Sequence, residues 1–104
     1  MSEPLRCREP ATPTTQQDDA HTRVTRWDFA PGAETGFHRH GLAYVVVPVT
    51  DGTLLLELAD GSTATATLTQ GVSYTRPAGV EHNVVNAGDA PLSFVEIELK
   101  HLPG

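Results

Sequence analysis

Three histidines carry the chemistry that this sequence can do. His38 and His40 stand one residue apart in GFHRH, and His82 follows much later in PAGVEHNVVN. A neutral imidazole offers a nitrogen lone pair to a transition metal, and it can also move protons near neutral pH. On an extended strand, residues two apart share a face, so His38 and His40 project together while Arg39 points the other way. Two imidazoles so placed can chelate one ion, although an isolated HxH pair is weak evidence. His82 strengthens the case only if the fold brings it to the same point.

The elements available to do that are strands. From residue 23 onward, apolar residues alternate with polar ones, and Gly or Pro interrupts the pattern at short intervals. Thr25, Trp27 and Phe29 share one face, and Leu54, Leu56 and Leu58 share another. Ala64, Ala66 and Leu68 alternate with Thr63, Thr65, Thr67 and Thr69. Near the C-terminus Val95, Ile97 and Leu99 stand against Phe94, Glu96 and Glu98. YVVVPV at 44–49 is apolar on both faces, which predicts burial on both sides; Pro48 cannot donate to a ladder and predicts a bulge or a partial edge. Turn signals fall at PG 31–32, DG 51–52, DG 60–61, PAG 77–79 and GDAP 88–91, and the two DG pairs predict hairpins. No run of ten residues reads as a helix. The expected fold is an all-β antiparallel sandwich or barrel spanning 23–104, preceded by a polar arm over 1–22 that is extended or mobile.

Composition narrows the partners. The chain has 104 residues, enough for one small domain whose modest core favours a homodimer. Residues 32–104 hold eight acidic side chains against three basic ones, so no basic stripe is available for phosphates and nucleic acid is excluded as a partner. Nothing approaches the roughly 20-residue apolar run of a membrane helix. The N-terminus has no apolar stretch that resembles a signal peptide, and the single cysteine, Cys7, suits a reducing compartment. These readings predict a cytoplasmic protein with an incidental thiol.

The spacing around the histidines resembles the cupin superfamily. Its first motif, G(x5)HxH(x3–4)E(x6)G, is met at Gly32, His38, His40 and Gly52. Its second, G(x5)PxG(x2)H(x3)N, is met at Gly71, Pro77, Gly79, His82 and Asn86. The resemblance implies an antiparallel double-stranded β-helix, or jelly-roll, barrel with His38, His40 and His82 as metal ligands. It departs from the family at the glutamate of the first motif, which is usually a ligand: Tyr44 or Val45 stands there. Tyr44 has the parity of His38 and His40 on a continuous strand, whereas spacing from Gly52 favours Val45. A phenol titrating near 10 is a poor ligand, so Tyr44 is expected to contribute a hydrogen bond instead. Three imidazoles without a carboxylate suit Fe, Zn, Ni or Cu better than Mg or Ca, and leave coordination positions open. The expected cofactor is one divalent transition metal: Fe2+, Zn2+ or Ni2+. The bland alternative is a cluster of hydrogen-bonded core histidines. His21 and His101 read as surface residues.

By parity with apolar faces, Trp27, Phe29, Tyr44, Tyr74 and Phe94 are candidates to line the pocket, with plain core packing as the alternative for each. Arg76 shares parity with Val72 and Tyr74. Pointing inward it could grip a ligand carboxylate; pointing outward it would pair with Glu81 or Glu96. Glu96 and Glu98 lie on Phe94's face, so Glu98 at least should meet solvent or an arginine. No acid–base residue is evident beside the histidines. A narrower resemblance, carried by RWDFAPGAETGFHRHGLAYVVVPVTDG, SYTRPAGVEHNVVN and SFVEIELK, is to small single-domain bacterial cupins linked to beta-alanine or related amino-acid degradation. It implies a metal-dependent oxygenase or isomerase acting on a small organic acid or amino-acid derivative. The alternatives are a non-catalytic module that binds a ligand or metal, and a purely structural dimer.

Overall fold

The computed structural model describes residues 8–100. Cys7, read above as an incidental thiol, and His101, read as a surface residue, lie outside the described residues. Among the described residues nine strands follow in order: β1 (Thr12–Asp18), β2 (Thr22–Phe29), β3 (His38–Arg39), β4 (Tyr44–Pro48), β5 (Gly52–Leu58), β6 (Thr63–Leu68), β7 (Tyr74–Arg76), β8 (Glu81–Asn86) and β9 (Leu92–Leu99). They form two antiparallel sheets, ordered β1-β2-β9-β4-β7 and β3-β8-β5-β6. This is the all-β antiparallel barrel expected from the alternating pattern, in the jelly-roll form that the cupin resemblance implies, with the inner faces of both sheets enclosing one core.

That core is assembled from the predicted inward faces. Phe29, Tyr44, Val46, Leu54, Leu68, Leu92 and Phe94 are each no more than a few per cent exposed. Removing such side chains from water supplies the main stabilisation, at roughly 1.5–3 kcal/mol each. The rings of Phe29 and Phe94 meet at 5.4 Å and those of Trp27 and Phe29 at 6.2 Å. Gly52 has a packing reason: a Cβ there would collide with the side chain of Leu92. Asn86, buried, donates from Nδ2 to the carbonyl of Ala90 at 2.8 Å and accepts from the Gly88 amide at 3.0 Å, tying the end of β8 to the turn before β9.

Three expectations change. Asp60–Gly61 does make a hairpin between β5 and β6, but Asp51–Gly52 does not: β4 and β5 lie in different sheets, so this turn is the corner between them. Turn residues bend the chain without saying which sheet the next strand joins. The YVVVPV segment is buried on one face only, with Tyr44, Val46 and Pro48 inside and Val45 and Val47 half-buried outside. Its register with β9 runs without a shift, so there is no bulge; Pro48 is the last residue of β4 and lies past the end of the pairing with β7. Finally, in β6 only Leu68 is buried, and Ala64 lies exposed on this edge strand. The stretch read as an arm contains β1, which pairs with β2 and is exposed at every residue.

Candidate metal centre

The local structure delivers the histidines through paired backbone. His38 and His82 face each other directly across the β3–β8 ladder, and Arg39 pairs with Glu81 beside them. His40 follows just beyond β3. Its amide donates to the Val80 carbonyl at 2.8 Å, and its carbonyl accepts from the Gly79 amide at 2.7 Å. Gly79 adopts φ 96°, a left-handed conformation that side chains resist, so the PAG turn needs glycine to make this bond. The turn before His82 is thereby stapled to the segment that carries His40.

The three rings converge through their Nε2 atoms. His38 Nε2 lies 2.9 Å from His40 Nε2, which lies 3.2 Å from His82 Nε2. Three ligand nitrogens, one per residue, all fall within 4.8 Å of one another. An ion about 2.1 Å from each nitrogen would hold neighbouring nitrogens roughly 3.0–3.4 Å apart, so the spacing fits a shared metal. The protonation states agree. Burial first, then the neighbouring His38, pushes His40 down to about 4. Burial also pushes His82 down to about 4. Neutral rings keep lone pairs available. His38 Nδ1 lies 2.8 Å from the Gly36 carbonyl, which can only accept, so that nitrogen carries the hydrogen and Nε2 keeps its lone pair. His82 Nδ1 is buried and lacks a partner.

Of the two candidates for the place of the missing glutamate, Tyr44 and not Val45 faces the histidines. It is buried on the inner face of β4 and stacks on His40, with centroids 4.0 Å apart and planes 24° apart. Burial raises its phenol to about 12, so the ring packs as a neutral aromatic against the imidazole.

Two hollows flank the cluster. An inner one of about 20 Å³, room for roughly one water, is lined by Tyr44, Tyr74, Arg76, His82, Phe94 and Glu96 among others. The outer one, a mouth recess of about 280 Å³, is lined by Thr25, Trp27, Thr35, His38, Arg39, His40, Glu96 and Glu98. The sequence-derived candidates therefore separate. Tyr44, Arg76 and Phe94 face the inner hollow and Trp27 the recess, whereas Phe29 reaches neither and packs in the core. Arg76 takes the inward position, beside Glu96 in the same hollow. Glu98 finds the expected arginine: Arg23 Nε donates to Oε1 at 2.5 Å. Sequence reading left Glu96 out of the site. Its parity with Phe94 was the available signal, and an acidic residue on that face suggested solvent, not a lumen.

A cupin domain model matches residues 25–98. The chain belongs to the cupin family. It is 59% identical over 93 residues to the beta-alanine degradation protein BauB of Pseudomonas aeruginosa, covering 89% of this chain and 97% of that one. A crystal structure of a cupin domain from Bordetella pertussis superposes with a TM-score of 0.89 at 56% identity, covering 93% of this chain and all of the other. An RmlC-like cupin with a double-stranded β-helix fold from Methanocaldococcus jannaschii reaches a TM-score of 0.73 at 16% identity over 95% of this chain and 88% of its own, a likeness of fold. The cupin barrel thus brings the three histidines within metal-binding distance.

Proposed function

We propose that this cupin holds one divalent transition metal (Fe2+, Zn2+ or Ni2+) on His38, His40 and His82 and acts on a small organic acid or amino-acid derivative in catabolism. The observation that carries the reading is the convergence of three Nε2 atoms at 2.9 and 3.2 Å. When bound, such an ion supplies Lewis acidity toward a ligand oxygen. The chain's own residues do the rest. The recess lies at the lower end of the ~300–1,000 Å³ range of ligand sites, which selects a small molecule. Trp27 offers an apolar wall and Arg39 a cation at the rim, where it also pairs with Glu81 at 3.4 Å. Tyr44 keeps His40 oriented by stacking. The name of the Pseudomonas relative supports a setting in beta-alanine degradation.

Elemental analysis of protein expressed without added metal tests this. We expect close to one equivalent in the wild type and a trace in His40→Ala; a metal-free wild type, or full occupancy in the variant, overturns the reading. A binding module without turnover is favoured by one feature, the replacement of a carboxylate ligand by Tyr44. Tight ligand binding with neither product nor oxygen consumption would select it.

We also propose a homodimer. Val24, Val45 and Ile97 form one outward row across the larger sheet, with Val47 and Val95 beside it, all half-buried. A second copy packed on this face would bury the outer side of YVVVPV. Light scattering should then report a dimer for the wild type and a monomer for Val47→Lys with Ile97→Lys.

A further inference from the structure

We propose that Glu96 is the acid–base residue of the site, taking a proton from a small carbonyl acid seated in the mouth recess and returning it. The inference rests on the functional reading above and names the residue that reading lacks. Among the residues lining the two hollows, Glu96 alone lines both. Glu96 therefore stands between the recess that His38 and His40 line and the inner hollow that His82 lines.

The surroundings of Glu96 determine what that carboxyl can do. From β9 comes Glu98, whose charge Arg23 of β2 already answers at 2.5 Å. From β7 come Tyr74 and Arg76, and from β4 comes Tyr44. From the recess side come His38, Arg39 and His40. Among the described residues none of these cations forms an ion pair with Glu96, and the Trp27 indole of β2 offers it only a weak hydrogen-bonding pull. Burial, then the Glu98 charge, accordingly raises the carboxyl to about 7. A group so poised is present in both forms at neutral pH, the condition under which general acid–base transfer is most effective.

The chemistry balances within the site. The Glu96 carboxylate accepts a proton from the carbon beside the ligand's carbonyl. The C–H electron pair becomes a carbon–carbon double bond as the carbonyl π pair moves onto oxygen, giving an enolate whose oxygen faces the imidazole side of the recess. The Glu96 acid then returns a proton to that carbon, or to its neighbour in an isomerisation. No oxidant or reductant is needed. Arg39 at the rim can hold the ligand's carboxylate.

Two measurements on the full chain test the proposal. A small diazoacetamide esterifies protonated carboxyls and spares carboxylates, so it reads both the protonation state and access from the recess. We expect peptide mapping to find residue 96 esterified at pH 6–7, with labelling falling as pH rises through neutrality, and no label at that position in Glu96→Gln. A Glu96 that stays unlabelled in the folded protein, or labels only well below pH 5, overturns the proposal. In D2O, acetoacetate serves as the probe, and exchange of its C2 protons is followed by NMR with zinc-loaded wild type and Glu96→Gln at equal metal content. The variant should exchange at least roughly tenfold more slowly. Equal rates make Glu96 a spectator and overturn the proposal. If the protein binds no zinc, the metal reading falls separately, and labelling and exchange with the metal-free protein still decide for or against Glu96.

Discussion

The two walls of the lumen solve opposite electrostatic problems. On the smaller sheet, His38 and His82 face each other across β3 and β8 and are joined by His40; the three Nε2 atoms converge, and burial keeps His40 and His82 uncharged at neutral pH. On the larger sheet, β9 places Glu96 and Glu98 on the inner face, and these are acids that must be answered or protonated. Arginine answers one of them, and burial raises the carboxyl of the other to about 7. The first wall is a site only if something binds between the rings, whereas the second is set by the fold alone. This difference ranks the effects of substitution.

Losing a ring should have the largest consequence. His82→Ala removes one nitrogen of the three, and we expect metal affinity to fall by roughly 100-fold or more, since even loss of a supporting outer contact commonly costs 10–100-fold. Free metal at about 100 times its Kd should stabilise the wild type by about 2.7 kcal/mol. For a domain of this size that corresponds to roughly 10–20 °C in Tm. The variant should show no such shift in a thermal melt with and without metal. An equal shift in both proteins would dissolve the contrast between the walls.

The second effect belongs to the acid wall and needs no metal. Glu96 moves from an ordinary 4.5 to about 7 on folding, so the unfolded chain releases this proton more readily. Its contribution to stability is fully present below about 4.5 and is lost as pH rises through 7. The difference amounts to about 3 kcal/mol across that window. His40 and His82, held at about 4 by burial, act in the opposite sense because the unfolded chain takes up their protons by pH 5. The test is therefore a difference: in urea unfolding of metal-free protein, wild type should gain stability relative to Glu96→Gln on going from pH 8 to pH 5. A difference between the two proteins that is the same at both values would mean that Glu96 is solvated.

These two walls were not equally legible. The histidines could be read because their spacing is fixed by local geometry: residues two apart share a strand face, and the PAG turn with Gly79 sets where the next strand begins. Nothing local says that Asp51–Gly52 changes sheets, because a turn's residues fix its bend and not the partner of the following strand. In β9 the alternation of Glu96 and Glu98 with Val95 and Ile97 was plain, but the usual rule would turn the valine and isoleucine inward. The lumen reverses it at this end, with Phe94 continuing the inner face into the apolar core. Phe29 obeyed its parity and still missed the site, since a shared face does not specify a position along the barrel axis. The choice between Tyr44 and Val45 waited on the register of β4 with β9, which the sequence leaves open.

A smaller effect separates the two glutamates. The Arg23–Glu98 pair is half-open, with side chains 44% and 14% exposed. Arg23→Ala should cost about 1 kcal/mol, and a double-mutant cycle with Glu98→Gln should return a coupling of that order. A coupling near zero would leave Glu98 answered by solvent and narrow the difference from Glu96.

The smallest expected change is the most discriminating for the metal centre. Tyr44→Phe keeps the ring that stacks on His40 at 4.0 Å and removes only the hydroxyl. If the phenol merely packs, as its rise to about 12 implies, metal content should be unchanged. If the phenolate instead took the glutamate's place as a fourth ligand, losing it should weaken binding tenfold or more, an effect comparable to loss of a supporting contact. Competition against a chelator of known affinity resolves the two. An unchanged Kd keeps the histidine wall a neutral three-nitrogen site, and its charge complement must then come from the bound ligand or from the glutamates across the recess.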